Sequence, residues 1–355
     1  MARILEEIRQ KAAIAPERII DRPRRIALGD AFDERILEAA RTASREKIAE
    51  IILIGDAELV QREAARAGIV LDGIEIISPM DFPEIENLAT RYFERRKAKL
   101  LTFDVGLAEL HSNDLLFGAA LAEAGYVDGM IAGSLSTTGD VIRAALKGIG
   151  IADGVSVLSS MFLLAFPPIA EIREYEFSVA FADAAVVIEP NAEQLADIAL
   201  STAQTYRALT GNEPYVAMLS YSTLGSARSA STEKMIEATA LARVKAATST
   251  TFPTLAIDGE MQFDTAFIPA VAARKAKESV VAGRANVFIF PNLDAGNIGY
   301  KIAERLGMGE AIGPVLQGLR KPMNDLSRGA STNDIVNMIA ITAVQSRDYA
   351  DQNLV

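Results

Sequence analysis

Arg25-Ile26-Ala27-Leu28-Gly29-Asp30 and Ile51-Ile52-Leu53-Ile54-Gly55-Asp56 decide the fold class. Each is a short apolar run closed by Gly-Asp, and each is followed by an amphipathic stretch, residues 33–43 after the first and 58–67 after the second. Strand, glycine turn and helix, repeated, is the pattern of βα units feeding a parallel sheet. Working outward, later strands are expected at residues 129–132, 155–158, 184–188, 215–219, 254–258 and 287–290. Helices are expected at 107–124, 140–148, 192–208, 232–247, 295–306 and 333–345. The fold class is therefore α/β.

The chain has 355 residues, of which 50% are apolar and 23% charged, which suits about two folded domains. The expected breaks are the glycine-rich stretch 148–154 and residues 313–321, where Gly and Pro cluster. Gly148, Gly150 and Gly154 have the spacing G-x-G-x-x-x-G, as do Gly307, Gly309 and Gly313. Neither is the dinucleotide fingerprint, and no G-x-x-x-x-G-K-[ST] occurs, so nothing points to a Rossmann cofactor site or a P-loop.

Composition removes other chemistries. There is no cysteine and one histidine, His111. Disulfides, Cys-based zinc sites, iron–sulfur clusters, thiol nucleophiles and His-rich metal sites are excluded, and His111 itself reads as a structural helix-end or loop residue. The charge is 36 − 47 = −11, a poor match for nucleic acid or an anionic membrane. Glu6, Glu7 and Arg9 interrupt the first residues, so no signal-peptide core is expected. The longest apolar stretch, 161–170, contains Pro167 and Pro168 and is short of a membrane span. The cytoplasm is the expected compartment.

Four polar constellations stand out. Ser134-Leu135-Ser136-Thr137-Thr138-Gly139-Asp140 precedes a helix with Arg143; it reads as an N-cap, as an anion site, or as both. Residues 219–229 form a hydroxyl-rich loop after a strand, placed either for a ligand or as a connection. Asp258, Glu260, Gln262 and Asp264 share one face of an extended chain. They could hold Mg²⁺ with a substrate phosphate, but a hydrogen-bonded structural cluster is the favoured reading. Finally, Asn324-Asp325-Leu326-Ser327-Arg328-Gly329-Ala330-Ser331-Thr332-Asn333-Asp334 contains a capping box, Ser331 to Asp334. Its spacing favours a cap with Arg328 on the surface. The functional alternative has Arg328 forked onto a phosphate and Asp334 beside it as a base.

In these segments the chain resembles the phosphate acetyltransferase (phosphotransacetylase) family, which is related to phosphate butyryltransferases. The resemblance is carried by Asp128-Gly129-Met130-Ile131-Ala132-Gly133, by Ser136-Thr137-Thr138-Gly139-Asp140 with Arg143, by residues 216–227, and by Asp258 to Asp264. It continues in Phe290-Pro291-Asn292-Leu293-Asp294-Ala295-Gly296-Asn297-Ile298-Gly299-Tyr300-Lys301 and in residues 321–335. It runs from about residue 24 to the end.

The resemblance implies a two-domain, three-layer α/β fold like that of isocitrate and isopropylmalate dehydrogenases. The first domain is then 1–152 plus 320–355 and the second 153–319, with the active cleft between them. It implies the reversible reaction of acetyl-CoA and phosphate to give CoA and acetyl phosphate, by direct thiolate attack in a ternary complex, in a homodimer. No tightly bound cofactor or metal is needed; coenzyme A is a substrate. By the same resemblance Arg328, with Ser327 beside it, binds phosphate or acyl phosphate. Asp334 takes the thiol proton, and Thr137, Thr138, Arg143 and Arg96 bind substrate. Departures are Ala98-Lys99-Leu100 after Arg96, Ala132, Ser136 and Gly139 where Ser, His and Ala are common, and Ala330 for a frequent Cys. Butyryl or another acyl specificity, and a non-catalytic acetyl-CoA sensor, are the alternatives. A thiol titrates near 8.5 and an ordinary aspartate near 3.9, so the proton transfer needs help from the site.

Overall fold

A computed structural model describes residues 3–13, 22–98, 102–170, 172–250 and 252–352. Both Gly-Asp runs end strands: β1 is Arg25–Leu28 and β2 is Glu50–Ile54. The remaining strands are β3 Glu75–Ile77, β4 Gly129–Ala132, β5 Ser159–Phe166, β6 Phe177–Ala182, β7 Tyr215–Leu219 and β8 Ala256–Met261. They are completed by β9 Val287–Ile289, β10 Glu310–Gln317 and β11 Met323–Asp325. The chain divides into two compact units, Leu5–Ala152 with Leu319–Val355, and Met1–Ile4 with Asp153–Gly318.

The first of these units is built on a five-stranded sheet in the order β11-β4-β1-β2-β3, parallel throughout. Its strands are apolar on consecutive residues because both faces are covered. On β4, neighbouring residues point to opposite faces. Gly129 faces the Thr342 side chain of the last helix, Thr332–Gln352, while Met130 packs its methylthio group against Gly118 of helix Asp114–Ala124. Helices therefore lie on both faces, giving three layers. The last helix buries Ile335, Ile339, Ala340 and Ala343. It is registered on β11 by buried Asn324, whose amide donates to Thr342 Oγ1 at 2.9 Å and Gln345 Oε1 at 2.7 Å.

The second unit has a six-stranded sheet, β10-β5-β6-β9-β7-β8. Its β6, β9, β7 and β8 are parallel, and β5 runs antiparallel to both of its neighbours, β6 and β10. Phe181, Phe267 and Phe288 pack edge to face at the centre of its core.

Several expected elements shift for local reasons. One helix over 107–124 becomes two, Phe103–Ser112 and Asp114–Ala124, because the Asn113 side chain accepts from Leu116 N at 2.9 Å and starts the second helix anew. The strand expected at 155–158 begins at Ser159 instead; Asp197 draws Ser156 aside through its N–H, 2.7 Å, and hydroxyl, 2.5 Å. Residues 184–188 are a loop, since the buried Asp183 carboxylate takes the N–H groups of Ala185, Val186 and Val187 at 2.9, 3.2 and 2.8 Å. With those amides satisfied, no ladder is needed. Gly313 and Pro314 sit inside β10, where the register on β5 shifts between Ile312 and Val315.

Candidate active site

Because β11, β4 and β1 are adjacent and parallel, the segments that follow them emerge at one edge of the sheet, the carboxyl edge where α/β sheets bind ligands. Six of the seven expected site residues follow β4 or β11. Thr137 is the N-cap of helix Thr138–Gly148, and its side chain accepts from Asp140 N at 3.2 Å. Thr138 opens the helix. One turn on, Arg143 pairs with Asp140 at 2.6 Å, both exposed. Bonds from Thr137 and Arg143 hold the Asp140 carboxyl below the ordinary range.

After β11, Ser327 to Ala330 form a turn: Ala330 N donates to Ser327 O at 2.9 Å and Gly329 N to Ser327 Oγ at 3.2 Å. Ser327 and Arg328 are exposed at its crest. Asp334 closes the capping box of the last helix. Its Oδ2 accepts from Ser331 N at 2.9 Å and Ser331 Oγ at 2.8 Å, and its own N–H donates to Ser331 Oγ at 3.2 Å. The cap is thus real, and it orients the carboxylate four residues beyond the turn that carries Arg328.

Three groups to which the sequence reading gave no role, although Asp30 and Asp325 lie in its quoted segments, fasten these loops. Arg35 donates through one nitrogen to the carbonyls of Arg328 and Ala330, at 2.8 and 2.7 Å, and through another to Ser134 O at 3.1 Å and Asp33 Oδ2 at 2.6 Å. Asp33 is nearly buried. Burial opposes its charge, but the side-chain and backbone bonds from Arg35 prevail and hold the carboxyl below its usual range. Asp30 accepts from Gly133 N at 2.7 Å and Ser136 Oγ at 2.6 Å, with longer bonds from Leu135 N and Ser136 N, and so gathers the loop after β4. Asp325 ends β11. It is 2% exposed and accepts from Thr138 Oγ1 at 2.7 Å through Oδ2, while Oδ1 has no partner. Burial, and after it the field of Asp30, push its carboxyl up to about 6 against the opposing bond from Thr138. Asp30 and Asp325 carry a local signal, an acid at or just past a strand's carboxyl end, but what they and Arg35 fasten is set by the order of the sheet.

Arg96 lies elsewhere on this unit, in the last turn of helix Ile85–Arg96. Its guanidinium stands 6.0 Å from the Tyr92 ring, and Nε is buried without a partner. Tyr92 donates to Glu109 at 2.5 Å, as does Lys147 at 3.0 Å. Lys147 is nine residues beyond Thr138, so Arg96 belongs to the far end of that helix, on the order of 13 Å along its axis. No hydrogen bond joins Arg96 to Thr138, Arg143 or Arg328. His111 sits in the last turn of its helix.

The other two constellations lie on the second unit. Ser222 donates to Glu260 at 2.8 Å, and Tyr221 to Ser229 at 2.9 Å, so the 219–229 loop spends these hydroxyls on itself and on β8. Asp258 pairs with Arg243 at 2.5 Å and Asp264 with Lys275 at 3.1 Å. Glu260 also accepts from Gly225 N at 2.9 Å. The acids have separate partners, and among the described residues no group of three or more His, Cys, Asp or Glu is arranged to hold a metal.

Comparison with known proteins agrees over nearly the whole length. The family model described as phosphate acetyl/butaryl transferase matches residues 3–343. The phosphate acetyltransferase of Acetivibrio thermocellus is 42% identical over 335 residues, covering 93% of this chain and 98% of the relative. That of Paracoccus denitrificans is 44% identical over 325 residues, covering 91% and 95%. Among solved structures, the EutD phosphotransacetylase from Staphylococcus aureus superposes with a TM-score of 0.85 at 39% identity, covering 97% of this chain and 98% of that one. A branched-chain phosphotransacylase from Enterococcus faecalis V583 shares the fold at a TM-score of 0.59 and 17% identity, covering 91% and 99%. The chain belongs to the phosphate acetyl/butaryl transferase family.

Proposed function

We propose that this enzyme, a transferase, moves an acetyl group reversibly between coenzyme A and inorganic phosphate: acetyl-CoA + phosphate = CoA + acetyl phosphate. The observation that carries the reading is the exposed Ser327–Arg328 turn, clamped by Arg35 beside the N-terminus of helix Thr138–Gly148. Arg328 supplies a planar fork for a phosphate. The helix start adds N–H groups and the positive end of a dipole, and Arg143 adds a second cation. Arg96, at the far end of the same helix, is placed to meet a distal part of the long CoA molecule.

In the direction of acetyl-CoA synthesis, thiolate sulfur attacks the acetyl carbon and the bond from that carbon to the phosphate oxygen breaks. The thiol proton passes to Asp334 and from there to the departing phosphate. Arg328 and the helix N-terminus offset the charge that develops on the acyl oxygen and phosphate. Coenzyme A is a substrate, so the chain needs no thiol of its own. The deciding assay is phosphate- or arsenate-dependent loss of the acetyl-CoA thioester by the purified protein, with butyryl-CoA in parallel. Faster loss of acetyl-CoA supports the reading, faster loss of butyryl-CoA moves the acyl preference, and no loss of either sinks it.

The proposed assembly is a homodimer in the cytoplasm. Helix Leu293–Leu306 presents Ile298, Ile302 and Leu306, all more than half exposed and four residues apart on one face, with Met308 just beyond. A second copy of the chain is the occupant we assign to that stripe. Ile302→Glu should then yield a monomer by light scattering, and an unchanged mass would place the interface elsewhere. No described helix is long and apolar enough to cross a membrane.

A further inference from the structure

A threonine hydroxyl has one proton to donate and two lone pairs with which to accept. The proton of Thr138 is committed to Asp325 Oδ2 at 2.7 Å. Asp325 is 2% exposed and its Oδ1 has no partner, so withdrawing that proton would leave a buried carboxylate without a side-chain donor. Such a loss exceeds the net value of an ordinary hydrogen bond. Thr138 is exposed on its other side. Its outward lone pairs can therefore only accept, and a ligand atom meeting them must carry a hydrogen.

We propose that the Asp325–Thr138 pair is a specificity determinant, in which Thr138 Oγ1 accepts the P–OH hydrogen of hydrogen phosphate and so disfavours oxyanions that have no proton, such as sulfate. This rests on the placement of phosphate between Arg328 and the start of helix Thr138–Gly148 given above. Arginine forks and helix N–H groups cannot make the distinction, because they donate equally to either anion. Only a fixed acceptor can. Arsenate, which carries an As–OH, passes the same filter.

The surroundings keep Thr138 in that role. Asp30, on the turn after β1, is the charged group acting on Asp325, and Leu326 contributes a backbone N–H. Arg35 is paired with Asp33 and Arg143 with Asp140. Above about pH 6 the Asp325 carboxyl is ionised and can only accept; below it the carboxyl gains a proton, Thr138 is released to donate, and the discrimination weakens.

The test measures the phosphate KM and the competitive inhibition constant of sulfate at pH 7.5 for the wild type, Thr138→Ser, Thr138→Val and Arg328→Ala. In the wild type sulfate should bind at least about tenfold more weakly than phosphate, the size of one net hydrogen bond. Thr138→Ser should keep that ratio. Thr138→Val should raise the phosphate KM about tenfold and leave sulfate inhibition within about twofold, bringing the ratio towards one. Sulfate competing as well as phosphate in the wild type overturns the proposal without any variant. A folded Thr138→Val with the wild-type ratio also overturns it, and if that variant binds CoA more weakly relative to S-methyl-CoA, the accepted hydrogen is the thiol's. If Arg328→Ala leaves the phosphate KM unchanged, the placement of phosphate itself fails. If Arg328→Ala raises the KM while Thr138→Val keeps the wild-type ratio, only the Asp325–Thr138 filter fails.

Discussion

The Arg35 guanidinium donates to the Arg328 carbonyl at 2.8 Å, so a residue on the first crossover helix sets the turn that presents Arg328, the arginine proposed to bind phosphate. The same side chain neutralises Asp33, whose carboxylate is nearly buried. Arg35→Ala should therefore have two effects. It should lower stability by roughly 2–3 kcal/mol, because it strands a mostly buried carboxylate. It should also raise the phosphate KM more than the CoA KM, since the turn loses two of its anchors. Arg35→Lys cannot fork to both carbonyls and Asp33 together, and should recover stability better than phosphate affinity. Denaturant unfolding and initial-rate kinetics read the two separately; equal rises in both KM values would remove the link to the turn.

Gly133 lies where β4 leaves the sheet, with φ +113. A β-carbon there would overlap Asp325 Oδ1 and come within 2.8 Å of Leu326 N and O. Gly133→Ala should cost more than the ~1 kcal/mol typical of a left-handed glycine, because it also displaces the Asp325 side chain and, with it, Thr138. The expected result is a lower Tm together with a loss of activity at least as large as that of Thr138→Val. A variant with normal Tm and normal turnover would mean that the loop yields without disturbing Asp325.

Much of this edge of the sheet was readable from local pattern, and the remainder was not for an identifiable reason. Apolar runs closed by Gly-Asp located β1 and β2, and S-x-x-D located the cap at Ser331 and Asp334. Yet the two Gly-Asp pairs do different work. Asp56 caps the next helix by accepting from Leu59 N at 2.9 Å, as local spacing suggests. Asp30 instead reaches more than a hundred residues along the chain to the amides of Gly133 and Ser136, and Asp33 takes over the cap of its helix. Periodicity reports neighbours three or four residues apart, whereas the groups fastening this site are joined by sheet order. Arg35, Asp30 and Asp325 became visible only once β1, β4 and β11 were side by side. Residues 184–188 depart for a different, local reason: their β-branched composition suits a strand, but the amides of Ala185 and Val187 are taken by the neighbouring Asp183.

Asp325 should leave a mark on the pH dependence of stability. Its folded carboxyl titrates at about 6, above the ~3.9 of an unfolded aspartate. Between those values the folded state binds more protons than the unfolded state, so stability falls as pH rises. The favourable contribution is complete below about pH 4 and absent above about pH 6, with a span on the order of 3 kcal/mol. Asp183 and Asp114, also raised by burial, slope the same way, while Asp33 and Glu109, held low, slope the opposite way. The difference between the wild type and Asp325→Asn isolates the one group. The variant should gain relative stability as pH goes from 4 to 7, in urea titrations at fixed ionic strength. A difference that does not change with pH would mean that Asp325 titrates no differently when folded.

Asp334 has a structural duty and a proposed chemical one, and they separate by size. As the partner of Ser331 in the capping box it supports the start of the last helix, a role worth about 1 kcal/mol. Asn at this position still offers an oxygen to Ser331, so Asp334→Asn should shift Tm little. If the carboxylate takes the thiol proton, the same change should lower kcat at least ~100-fold with small changes in either KM, because proton transfer is lost and binding is not. Ser331→Ala provides the converse: it removes the cap and leaves the carboxylate, and should cost stability with a modest effect on kcat. A folded Asp334→Asn variant that turns over at close to the wild-type rate would leave Asp334 only its cap, and the thiol proton would need another acceptor at this edge of the sheet.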